Sequence, residues 1–241
     1  MKPRVKILYS PGNNCHFETA EAFKLAGAEP EICNMKADLF SGRDALDKCD
    51  MLAMPGGFSW GDHLAAARIW ALDLVYRLKD QLQAVKEKHI PIIGICNGFQ
   101  ALINTGLLPG MKDVGAPSAI VDRNISAVFE SRWVTCGVQK SSCVWTEELE
   151  GEEIRMPVAH GEGRVLLVEG EEQHTVFKYG SVEGTQDYPA NPNGSPEARA
   201  GICDPTGRIL GLMPHPERAI FPWHGSEDGL KIFKAGVNAV K

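Results

Sequence analysis

Pro91-Ile92-Ile93-Gly94-Ile95-Cys96-Asn97-Gly98-Phe99-Gln100 is the stretch on which the reading of this chain turns. An apolar run ends in Gly-x-Cys-x-Gly, and a helix-compatible segment follows. Glycine on both sides of one residue lets the backbone turn sharply between strand and helix. Such a turn holds the central side chain clear of the sheet, as in the Gly-x-Ser-x-Gly nucleophile elbow, here with sulfur in place of oxygen. Taken alone, the pentapeptide fits a buried, inert cysteine at a strand end equally well.

Upstream, strands and helices alternate. Val5–Tyr9 is a short apolar run ending at Pro11-Gly12. Phe17–Ala26 has helical spacing and stops at Gly27, a residue suited to a helix C-terminus. Glu31–Cys33 reads as a weak strand, and Asp50–Met54 as an apolar one that ends at Pro55-Gly56-Gly57. From about His63 to Lys88 the pattern is helical, in one or two pieces, with Leu64, Ile69, Leu72, Val75 and Leu78 as the expected apolar face. Ile90–Ile95 then enters the elbow. This alternation implies a parallel sheet covered on both faces.

Beyond Gly115 the β-rich runs Ser118–Phe129, Trp133–Val138, Ile154–Ala159, Arg164–Val168 and Thr175–Tyr179 follow in quick succession. Asp204-Pro205-Thr206-Gly207 has the residue types of a type I turn, so Ala200–Cys203 and Arg208–Met213 are expected to form a hairpin. A terminal helix is expected over Asp228–Val240. Gly180–Pro196 is rich in Gly, Pro and Asn and fits neither element; loops of that length are either functional or disordered. The expected architecture is one α/β domain over residues 1–241, with a β-rich extension inserted before its last catalytic strand.

Composition narrows the classes of function. The chain has 241 residues and a formal net charge of -6, with no cluster of Lys and Arg to meet a nucleic-acid backbone. No apolar run reaches the 18 or more residues that a membrane span needs. Seven cysteines without Cys-x-x-Cys spacing argue against a disulfide framework or a zinc site and suit a reducing cytoplasm. No metal site is expected.

A cysteine nucleophile needs a base, and the base an orienter. Met213-Pro214-His215-Pro216-Glu217-Arg218 offers both. In an extended segment residues i and i+2 point the same way, and the prolines disfavour helix for the residues before them. His215 and Glu217 are therefore expected side by side. Pro55-Gly56-Gly57-Phe58-Ser59-Trp60-Gly61-Asp62 can present backbone N–H groups to an oxyanion. By itself it is also an ordinary Gly-rich turn, and the phosphate-binding patterns G-x-G-x-x-G and G-x-x-x-x-G-K are absent. Cys15 lacks flanking glycines and reads as a structural thiol, His63 beside Asp62 as a surface pair, and His160 by itself as a satisfied structural histidine.

Together the elbow Gly94–Gln100 and the segment Pro214–Glu217 resemble the class I glutamine amidotransferases of the triad type. Pro11–Cys15, Pro55–Asp62, Ser131–Val134, Ala159–Arg164, Tyr188–Ser195 and Gly207–Ala219 narrow the resemblance to the branch serving purine biosynthesis. His16 and Lys178-Tyr179-Gly180 depart from that branch, away from the triad. The resemblance implies a three-layer α/β/α, flavodoxin-like fold with a mainly parallel central sheet and a β-rich extension. It implies a triad of Cys96, His215 and Glu217, oxyanion donors at the amides of Gly57, Phe58 and Asn97, and Gly56, Gly57, Phe58, Asn97, Gln100 and His160 in the substrate site. It further implies a cytoplasmic glutaminase with no cofactor of its own. Its ammonia would pass to a separate synthetase subunit that uses ATP and Mg, often through a small bridging subunit, to convert formylglycinamide ribonucleotide to its amidine. A DJ-1/PfpI-like hydrolase would share the elbow but not the late His-x-Glu pair or the Asn-Pro-Asn-Gly-Ser loop. A subunit that had lost the reaction would not be expected to fill all three triad positions.

Overall fold

Five strands with short apolar sequences run parallel in the computed structural model, which describes residues 1–110, 113–168 and 174–241. They are β1 (Arg4–Tyr9), β2 (Glu29–Asn34), β3 (Met51–Met54), β4 (Ile92–Ile95) and β11 (Ile209–Leu212), side by side in the order β2-β1-β3-β4-β11. β3, β4 and β11 are buried along their whole length, as expected of parallel strands covered on both faces. The sheet continues past β11 through β10 (Arg199–Cys203), β9 (Thr175–Tyr179), β6 (Glu130–Val138) and β7 (Glu153–His160), each antiparallel to its neighbour. The β-rich extension is thus the other half of one nine-stranded sheet. β5 (Ala119–Arg123) and β8 (Glu162–Leu167) form a separate antiparallel ribbon. The β10–β11 hairpin turns at the expected tetrapeptide, with the Gly207 amide donating to the Asp204 carbonyl.

The helices fall into two packed groups. α1 (His16–Leu25) contacts α5 (Gly229–Asn238), while α2 (Arg68–Arg77) contacts α4 (Asn97–Thr105) and the short α3 (Lys79–Glu87). Phe23 of α1 meets Phe233 of α5 edge-on at 5.0 Å, with Trp145 beside them. α4 lies across β3, β4 and β11.

Two expectations need correcting. The helical stretch from His63 is two helices, and it begins only at Arg68. Its buried face is Ala67, Trp70, Ala71, Leu74 and Leu78, whereas Leu64 and Leu72 are exposed and Ile69 and Val75 only half-buried. Non-helical backbone at Ala67 (φ 56°) precedes α2, so a register counted from Leu64 does not carry into it. The loop 180–196 is an ordered brace. Asn191, Asn193 and Ser195 are buried; the Asn193 amide donates to the Gly163 carbonyl (2.8 Å), and the Ser195 hydroxyl accepts from the Val165 amide (3.0 Å). The loop spends its polar side chains on holding β8 in place.

Candidate active site

Cys96 sits between the end of β4 and the start of α4 with φ 51° and ψ -106°, a backbone conformation that L residues seldom adopt. The close approach of helix to strand enforces it. A Cβ on Gly98 would lie 1.9 Å from the Met54 carbonyl oxygen, and one on Gly94 would meet the Gly98 backbone at 2.9 Å. Only glycine fits at both places, and the residue between them is pushed out at the head of α4. There the helix N-terminus favours an anion.

β11 ends beside β4 in parallel register, Leu212 opposite Ile95, and the Cys96 amide donates to the Leu212 carbonyl at 2.8 Å. Three residues later the chain reaches His215, whose own amide donates to Pro157 of β7 at 2.8 Å. Pro216–Arg218 then forms one 3-10 turn. This turn, rather than the extended segment expected from the prolines, brings Glu217 back onto the ring. The Glu217 Oε1 to His215 Nδ1 distance is 2.6 Å, with both side chains fully buried. Burial alone would push the imidazole pKa down. The Glu217 carboxylate, together with Cys96 and Cys15, outweighs it and holds His215 well above the usual histidine value. Nδ1 is thereby committed to Glu217, while Nε2 is buried without a hydrogen-bond partner among the described residues.

Two small hollows share the wall made by Gly57, Phe58, Cys96, Phe129 and Ala159. One, of about 170 Å³, adds Asn14, Cys15, His215 and Arg218. The other, of about 150 Å³, adds Asp62, Gln100, His160 and Glu162. Cys96, His215, Gly57, Phe58, Gln100 and His160 are therefore gathered at one place. His160 is held by Asn124, its Nδ1 lying 3.0 Å from the amide oxygen, and burial with the nearby His215 presses its pKa down to about 3. It is a neutral imidazole whose Nε2 lacks a partner among the described residues.

Other expected residues play different local parts. The Phe58 amide, expected as an oxyanion donor, donates to the Gly12 carbonyl at 2.9 Å. The amides of Gly57 and Asn97 have no such commitment among the described residues. Gly57 has φ 137°, and a Cβ there would lie 2.6 Å from Asn13 Cα, so the loop 11–15 packs directly on it. Gly56 is close-packed as well, a Cβ on it meeting His215 Cε1 at 2.8 Å. The side chains of Asn97 and Gln100 bond to the protein itself: Asn97 to the Ser59 amide and Asp62, Gln100 to the Glu162 carbonyl.

Sequence reasoning missed Cys15. Its Sγ lies 4.0 Å from His215 Nδ1 and accepts from Arg218 Nη2 at 3.1 Å. One imidazole therefore has two thiols for neighbours. The side-chain donor atoms of Cys15, His215 and Glu217 lie within 4.8 Å of one another, a grouping that no local spacing announces because 200 residues separate Cys15 from His215.

Comparison with known proteins decides the family. Residues 2–238 match the CobB/CobQ-like glutamine amidotransferase domain. The Treponema denticola protein named phosphoribosylformylglycinamidine synthase subunit PurQ is 38% identical over the full length of both chains. Its Dehalococcoides mccartyi namesake is 40% identical over all of this chain and 97% of the other. This chain belongs to the PurQ family. A chain in the structure of PurLQS from Thermotoga maritima superposes on it with a TM-score of 0.83 at 34% identity, covering all of both chains. The PurQ-family assignment includes the β-rich half, since these alignments cover the whole chain.

Proposed function

We propose that Cys96, His215 and Glu217 are the catalytic triad of a glutaminase. The chain is the glutaminase subunit of a phosphoribosylformylglycinamidine synthase in purine biosynthesis. The Cys96 thiolate attacks the side-chain amide carbon of glutamine, and the Gly57 and Asn97 amides stabilise the oxyanion. His215, through Nε2, protonates the departing ammonia and then activates the water that hydrolyses the glutamyl thioester to glutamate. Glu217 keeps the imidazole oriented and charged at the right stage. Gly56 and Phe58 shape the pocket, and neutral His160 offers Nε2 to the substrate.

The observation that carries this reading is the meeting of an outward-pushed cysteine with a histidine–carboxylate pair at the ends of neighbouring parallel strands. Ammonia passes to the synthetase PurL, with PurS as the small bridging subunit. ATP and Mg act on the partner, and this chemistry draws on no cofactor in the present chain. We assign docking to the face around Cys96, where Phe58, Phe129 and Tyr188 are exposed, together with loop 180–196. One domain over residues 1–241 and a cytoplasmic location fit this role. The cysteines are all free, and no helix among the described residues is long and apolar enough to cross a membrane. Cys96→Ala tests the assignment: in the reconstituted complex glutamine-dependent amidine synthesis should disappear while ammonia-dependent synthesis persists. Loss of both together would overturn the division of labour.

A further inference from the structure

The loop that carries the Gly57 donor is under backbone strain. Trp60, Asp62 and Ala67 have φ of 55°, 50° and 56°. Such backbone is unfavourable for residues other than glycine, so the conformation persists only where neighbouring contacts hold it. Those contacts converge on two side chains. Asn97 is fully buried. Its Oδ1 accepts from the Ser59 amide at 3.0 Å, and its Nδ2 donates to Asp62 Oδ1 at 3.1 Å and to Gln100 Oε1 at 3.2 Å. The same Asp62 oxygen accepts from the Ala67 amide at 3.1 Å, closing the strained segment on itself. Next to it the Ala66 amide donates to Glu162 Oε2 at 3.2 Å.

We propose that Asp62 and Asn97 are positioning residues that lock the strained 59–67 segment to the head of α4 and thereby fix the spacing of the two oxyanion donors. The chemistry favours this over simple loop stapling because of where Asn97 stands. Its backbone amide is one donor, at the residue after the nucleophile. Its side chain grips the loop that begins at the other donor, Gly57. Loop and helix belong to separate βα units, and no backbone hydrogen bond joins residues 59–67 to α4 among the described residues. Asn104, near the other end of the same helix, donates to the Ala66 carbonyl at 3.3 Å, so the Asn97–Asp62 pair is the polar tie at the head of α4, beside the donors. Donor positions within a few tenths of an ångström decide how well a developing oxyanion is stabilised. The inference rests on the glutaminase reading above.

The test uses the assembled complex with PurL and PurS. Asp62→Ala should lower kcat for glutamine roughly tenfold to a hundredfold, short of the 10²–10³ typical of deleting a donor outright, with KM changed by less than about threefold. Alkylation of Cys96 by iodoacetamide, which forms no oxyanion on a carbonyl, should keep its wild-type rate. Asp62→Asn should restore turnover, since an amide oxygen accepts both bonds. Asn97→Asp should be the most damaging single change, because it sets two carboxylates face to face. Full turnover in Asp62→Ala, or equal losses of turnover and alkylation, would overturn the proposal. A wild-type complex that makes amidine from ammonia but never from glutamine would instead overturn the glutaminase reading, and the clamp with it.

Discussion

Two turns in this molecule present a thiol to the same imidazole. The turn 94–98 and the turn 11–16 each lead from a parallel strand into a helix, and each places a cysteine immediately before the first helical residue. Cys96 has a positive φ forced by close-packed glycines, and it forms part of the wall of both hollows. Its sulfur lies 3.7 Å from the Ala159 carbonyl oxygen, a weak hydrogen bond. Cys15 has an ordinary backbone (φ -100°), and its thiol is tied down by Asn14 at 3.1 Å and Arg218 at 3.1 Å. Burial pushes the Cys15 pKa up, against the opposing pull of His215 and Arg218. Proximity to a base does not by itself make a nucleophile. The thiol must also have a free approach and a site beside it that can hold the reacting carbonyl.

The comparison can be broken in several places. The largest effect should come from exchanging which thiol is removed. Cys96→Ala should cost more than about 10⁴ in glutamine turnover, as for a missing covalent nucleophile. Cys15→Ser should stay within about tenfold of wild type. A Cys15 variant as inactive as the Cys96 one would collapse the distinction.

Next in size is the shared base. Glu217→Gln should reduce kcat by about 10²–10⁴. Because the Glu217 carboxylate is what raises the His215 pKa, its loss lets that pKa fall. The protonated imidazole then disappears at lower pH, and the alkaline limb of the kcat/KM profile should move toward acid. A limb that stays in place would show that some other group titrates there.

A smaller, purely chemical contrast sharpens the same point. Brief treatment with iodoacetamide near neutral pH, followed by peptide mass mapping, should find Cys96 modified and Cys15 intact. A buried thiol whose pKa is raised above 9.0 stays protonated under those conditions, and the neutral thiol is the poor nucleophile. Preferential labelling of Cys15 would reverse the assignment of the two sulfurs.

What could be read from the sequence was local chemistry. Gly94 and Gly98 announced the elbow because a sharp strand-to-helix turn has few other spellings, and Asp204–Gly207 announced its hairpin for the same reason. His215 and Glu217 could be paired because they are two positions apart. The reason given for that pairing was incomplete, since a 3-10 turn does the work assigned to an extended strand. Contacts between distant segments were closed to such reading. The meeting of Cys15 with His215 depends on where β1 and β11 lie in the sheet. The capture of the Phe58 amide by Gly12 depends on how two loops stack. The face of α2 was misread because Leu64 and Leu72 are as apolar as the residues that are buried, and the break at Ala67 resets the helical phase. Asn97 and Gln100 lie in the motif for a substrate site, yet their amides turn to the scaffold.

The adjacency of β4 and β11 has a consequence for how such a protein can change. Because Cys96 bonds the strand that delivers His215, the separation of sulfur and imidazole is quantised by the pitch of a β-ladder, about 4.8 Å between neighbours. Loops between the two residues can lengthen or shorten without altering that interval, provided the two strands stay zipped and β7 keeps its hold on His215 through Pro157. The reactive core is a pair of rails, and the loops strung between them are where evolution or an engineer can fit a new partner.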